Sequence, residues 1–339
     1  MTQTLSIKAT FAGLLAFVLV LGLIDTVAAG PPAGPPPMSE EAILHSHGPD
    51  GPGVDLNPHA GPNFDPSATW SPSDYDGQIW TKDAPDITDP SILPSVHAIY
   101  LYPSDAASRF LQLAPMMQAS ARRASSLMKA FTGHEIRFDE RYGADSATRY
   151  LDITVVKSSY DTRKLGSSSQ FSWVTKQLSS SGFTNPNKKY LVWLDAPSQY
   201  CGQSSLQQAT QRNASNPNNA RSVSAIYRYY DPSNSAGGFC GAVLHELSHA
   251  MGAVQSVAPH YQTSHCNDNA NDVMCYYAST IPYSASAGLY YDYGDNDYLD
   301  PSADATNPGL TGKLPWWTVN LSRFLCGTAG CEYPNTPSY

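Results

Sequence analysis

Leu244-His245-Glu246-Leu247-Ser248-His249-Ala250-Met251-Gly252 places two histidines four residues apart, with a glutamate beside the first. On an α-helix, positions i and i+4 lie on one face. His245 and His249 can therefore aim two imidazoles at one metal ion, at the ~2.0–2.1 Å of a Zn–N bond. Glu246 falls on the flank of that face, outside the coordination shell but within reach of a water on the metal. It suits a general base that takes a proton from that water and passes it to a leaving amine. The bland alternative is a surface helix with two unrelated histidines. Ala242, Val243, Leu244, Leu247, Ala250 and Met251 argue against it, because they predict a buried helix, and buried His and Glu need partners. Gly252 is placed to end the helix and turn the chain back towards the metal.

These residues resemble the metzincin metallopeptidases, whose pattern is H-E-x-x-H-x-x-G-x-x-H followed by a Met-containing turn beneath the metal. The chain supplies His245, Glu246, His249 and Gly252, and Asp272-Val273-Met274-Cys275-Tyr276 looks like the Met-turn. The resemblance is specific between Leu244 and Tyr276 and extends in its order of elements from about His97 to Phe324. It implies a zinc ion, with Met274 beneath it but not a ligand, and Tyr276 as a hydrogen-bond donor to the developing oxyanion. With 21 tyrosines in the chain, a purely structural Tyr276 is the plain alternative. The chain departs from the pattern at Gln255, where the third histidine belongs, and glutamine is a poor zinc ligand. His265 is favoured in its place, because a Cys266–Cys275 bridge would tie it to the Met-turn and preorganise it. His260, after Pro259, is the alternative third ligand, and a carboxylate of Asp268 or Asp272 is a further option.

Upstream, the hydrophobic pattern predicts an α/β (α+β) domain, with a mixed twisted sheet packed against long helices, the active-site helix at the cleft and a mostly irregular C-terminal part. Val96 to Tyr102 reads as a strand, as do Ile136–Asp139, Tyr150–Val156, Tyr190–Leu194 and Ser224–Tyr229. Between them, Ser104 and Asp105 are placed to cap a long helix. Its face is Phe110, Leu113, Met117, Ala121, Ala124, Met128 and Phe131, and Gly133 is placed to end it. A shorter helix is expected around Phe171–Leu178, and the active-site helix after Gly237-Gly238.

The N-terminus reads as an export signal: Lys8, an apolar run from Phe11 to Ile24, and small residues up to Ala29. Fourteen apolar residues are short of the ~20 that span a bilayer. The expected organisation is a signal peptide over 1–29, a Pro/Gly-rich disordered leader or pro-segment over 30–66, a catalytic domain over 67–333 and a tail over 334–339. His45, His47 and His59 are read as solvated residues of the leader. Six cysteines in an exported chain suggest disulfides, with nearest-neighbour pairing as the working expectation: Cys201–Cys240, Cys266–Cys275 and Cys326–Cys331. Asn213 and Asn320 open glycosylation sequons.

A net charge of −9 with no basic run excludes a nucleic-acid partner and, after export, a membrane surface. The acidic run Asp292 to Asp300 suggests calcium, but it lacks EF-hand spacing, and a solvated turn or cleft rim is its default reading. The expected function is a secreted, extracellular zinc endopeptidase acting on protein or peptide substrates, with no obligate partner. The rivals are a metal-binding protein without turnover and a hydrolase of another bond.

Overall fold

A computed structural model describes residues 25–29, 94–142, 149–198, 200, 202–229, 242–269, 272–275, 290–303 and 312–326. Its centre is a mixed sheet. Strands β2 (Ser95–Tyr102), β5 (Ile153–Lys157), β6 (Lys188–Ser198) and β8 (Ser222–Tyr229) run parallel, while β7 (Gly202–Leu206) pairs antiparallel with β8. Beyond β7 lies β1 (Asp25–Ala29), antiparallel to it, so the order is β1-β7-β8-β6-β2-β5. A two-stranded ribbon, β3 (Glu140–Tyr142) with β4 (Arg149–Leu151), stands apart.

Helices cover both faces, so the parallel strands are near-continuous apolar runs. Alternate strand residues supply two cores. Tyr100, Trp193 and Ile226 face α1 (Phe110–Thr132) and α4 (Val243–Ala250). Ile99, Val192 and Ala225 share the opposite core with residues of α2 (Thr162–Leu165) and α3 (Gln170–Ser180). Past α4 the described chain is irregular, apart from a 3-10 turn at Val319–Leu321.

The expected mixed α/β architecture is present, with local corrections. The long helix begins at Phe110 behind Arg109. Asp105 instead accepts hydrogen bonds from the backbone N–H and hydroxyl of Thr162. Residues 136–139 make only isolated bridges, Val96 to Phe138 and Ile136 to Leu325. The expected strand over Tyr150–Val156 is interrupted at Asp152, whose N–H turns to the carbonyl of Asp139. Phe131 is only half-buried, stacked on Tyr291.

Two lysines open β6, and both are buried. Lys188 pairs with Asp139, which also holds Nδ1 of His97 at 2.8 Å. Lys189 has no carboxylate partner among the described residues. Its ammonium donates to the carbonyls of Asn218, Ala220 and Ala250 and to the Ser222 hydroxyl. The Ala250 bond, at 2.6 Å, fastens the C-terminus of α4, where backbone carbonyls lack intrahelical partners and favour a cation.

Of the expected signal peptide, only residues 25–29 are described, and they form β1; the leader over 30–66 and the tail over 334–339 lie outside the described residues. Among the described residues, no helix is long and apolar enough to cross a membrane. Asn320 is buried, and its amide donates to the carbonyls of Asp300 and Ala303, so it does not offer a surface glycosylation site. Asn213 is exposed.

Candidate metal centre

Helix α4 packs against β7 and β8, with Leu244 and Leu247 sharing a core with Ile226, and the Ser224 hydroxyl reaches the Glu246 carbonyl at 3.0 Å. The helix ends in a Schellman motif: the Gly252 N–H bonds to the His249 carbonyl and the Ala253 N–H to the Ser248 carbonyl. Gly252 sits at φ 92°, and a Cβ there would lie 2.7 Å from both Asn218 and Trp317, so only glycine fits. The Trp317 indole N–H then caps the Met251 carbonyl at 2.8 Å.

Gln255 follows in the place of the missing histidine, and it is fully buried. Its carbonyl accepts from the Ala209 N–H, and its amide donates to the carbonyls of Gln207 and Gly252. It is a clasp between the helix end and residues 207–209.

The chain then returns through a tight turn in which Gln262 and His265 exchange backbone hydrogen bonds. Both central residues, Thr263 at φ 52° and Ser264 at φ 69°, are left-handed, as a two-residue type I′ turn requires. That conformation is an outlier for a β-branched residue. The turn brings Nε2 of His265 to 3.2 Å from Nε2 of His249 and 3.3 Å from Nε2 of His245, while the latter two are 3.2 Å apart.

Bonds of ~2.0–2.1 Å meeting at a tetrahedral angle separate their nitrogens by ~3.3–3.4 Å, so the triangle has the size of a zinc site's protein face. The tautomers agree. Nδ1 of His245 faces the Val273 carbonyl at 2.7 Å and Nδ1 of His265 faces the Thr263 carbonyl at 3.0 Å. A carbonyl only accepts, so each Nδ1 carries the proton and each Nε2 presents a lone pair. Two lone pairs converging on a third nitrogen repel unless a cation lies between them. Burial lowers all three imidazoles: His265 goes down to about 3 and His249 well below its ordinary 6.5, with the neighbouring histidines adding to it. The set is neutral, as metal ligands must be.

His260 is elsewhere, facing Asp297 and Asp268. Asp272 is also turned away: its carboxylate accepts from the N–H groups of Met274 and Tyr293 and from the Tyr298 hydroxyl. Met274 is buried in the same core as α4. The Cys266–Cys275 disulfide joins the residue after His265 to the residue after Met274. Cys326 is also disulfide-bonded, but Cys201, Cys240, Cys331 and Tyr276 lie outside the described residues.

Glu246 is buried to 0% exposure, and neither carboxylate oxygen has a hydrogen-bond partner among the described residues. Burial pushes its carboxyl well above the ordinary range. It lies against the backbone of Gly202 on β7, where an added Cβ would fall 2.7 Å from its carboxyl carbon. Nothing in the sequence around Gly202 marks this role, which depends on β7 crossing the helix.

The acidic run folds onto its own backbone. Asp292 accepts N–H bonds from Asn296, Asp297, Tyr298 and Leu299, and Asp300 accepts from Ser302 and Leu314. Among the described residues, the run forms no EF-hand-like group by itself, and of its carboxylates only Asp297 joins a metal-competent set, with His260 and Asp268. Compared with known proteins, the chain matches no family model and no curated protein.

Proposed function

We propose that this protein is a secreted zinc endopeptidase of metzincin type, with His245, His249 and His265 holding the metal and Glu246 as general base. The observation that carries the reading is the triangle of Nε2 nitrogens, 3.2–3.3 Å on a side, built on the helix that carries Glu246. Zinc bound there supplies Lewis acidity towards water and the scissile carbonyl. Glu246 removes the proton from the attacking water and delivers it to the departing amine. Burial raises its affinity for that proton above that of an ordinary carboxylate, the direction a general base needs. The Val273 and Thr263 carbonyls hold two ligand rings in the tautomer that turns the Nε2 lone pair towards the metal position. Export, with the N-terminal segment as its signal, completes the proposal and accords with the disulfide between Cys266 and Cys275.

A second reading has one observation in its favour. Glu246 is closed off from solvent, with both oxygens unpaired among the described residues, which suits a metal-binding protein without turnover. Digestion of a peptide library by mature protein, with and without chelator, separates the two. Chelator-sensitive cleavage is expected, and Glu246→Gln should lower kcat/KM by about 10²–10⁴-fold with metal content unchanged. Cleavage that persists in Glu246→Gln, or its absence from zinc-loaded wild type, defeats the peptidase reading.

A further inference from the structure

A second group of donors lies outside the histidine triangle. His260, from the loop between α4 and His265, meets Asp268, from the loop before the Met-turn, and Asp297, from the acidic run. Nδ1 of His260 is 3.0 Å from a carboxylate oxygen of Asp297 and 3.5 Å from one of Asp268. Asp297 is 1% exposed, whereas the His260 side chain is 36% exposed and opens the group to solvent. The Cys266, Asp268, Cys275 grouping nearby is not a rival, since both sulfurs are spent in the disulfide.

We propose that His260, Asp268 and Asp297 form a second site for a divalent transition-metal cation of the zinc class. One imidazole N–H can serve one acceptor. It points at Asp297, whose other oxygen already accepts the His260 backbone N–H. Asp268 is left at 3.5 Å, at the limit of a hydrogen bond. Even a protonated His260 carries one positive charge between two carboxylates. The same field that favours a proton on Nδ1 favours a divalent ion more. One donor atom from each of the three residues lies within 4.8 Å of the others, close enough for one ion to gather them, and an imidazole among carboxylates selects zinc-like metals over calcium. The three donors come from separate segments, so a metal here pins the loop that delivers His265 onto residues 292–299. This site does not depend on the peptidase reading.

Metal content of the dialysed, zinc-reconstituted full chain tests it. Wild type is expected to hold two equivalents, falling to one in Asp297→Asn and to one, independently, in His265→Ala. His260→Ala, at a half-exposed position, repeats the loss where Asp297→Asn folds poorly. A single wild-type equivalent that Asp297→Asn or His260→Ala removes supports this site and defeats the histidine triangle. A single equivalent that survives both substitutions overturns this site, and no bound zinc overturns both.

Discussion

Glu246 and Gly202 illustrate how a reactive group can be set by a residue with no side chain. The glutamate lies in van der Waals contact with the β7 backbone, and any Cβ at 202 takes its space. Gly202→Ala is expected to displace the carboxylate by about an ångström, which can cost ~10²-fold in rate. The overpacking should also cost ~1–3 kcal/mol of stability. Assays of kcat/KM beside metal content check this: activity should fall while zinc stays bound, and full activity in the variant would refute the placement. The pattern from His245 to His249 is visible residue by residue, because its geometry is internal to one helix. Gly202 is not, because its role exists only where one strand crosses that helix.

At the scale of elements, His265, the proposed third ligand, is delivered by a strained turn fixed at its far end by a disulfide. Replacing Thr263-Ser264 with Asn-Gly supplies residues that accept φ above zero, and should stabilise the fold by ~1 kcal/mol, read as a raised Tm. Removing the Cys266–Cys275 bridge by a double Ser substitution should weaken zinc binding by about 10–100-fold in a competition titration, as loss of ligand support does elsewhere. The end of α4 depends on a residue from another strand. Lys189→Met strands the carbonyls of Asn218, Ala220 and Ala250, each unsatisfied group costing ~1–3 kcal/mol. Chemical denaturation should show a loss of at least ~3 kcal/mol. The alternation in β2 and the period of α1 were legible because each element repeats its own burial pattern. The start of α1 was not, because Asp105 spends its carboxylate on Thr162, 57 residues away.

For the whole molecule, the neutral buried histidines predict an acid limit. Burial lowers the three imidazoles below the ordinary 6.5, His265 to about 3. Between those values the unfolded chain binds protons that the folded chain does not, so stability falls as pH falls. The histidine contribution to the Tm of the metal-free protein is steady above about pH 7 and declines below 6.5, against the opposite contribution of the raised carboxyls of Glu246, Asp272 and Asp292. His265→Ala should flatten part of that decline, and an unchanged slope would remove His265 from the explanation. Protons compete with zinc for the same lone pairs, so metal release should follow the same direction. The amino-acid sequence by itself determined the α/β pattern, the helix over residues 243–250 and the pairing of His245 with His249, because those follow from periods of two and 3.6 along a local segment. It left the third nitrogen open between His265 and His260. Only the tertiary structure placed one beside the other two and the other beside Asp297, because a ligand carried on a loop is positioned by contacts distant in sequence.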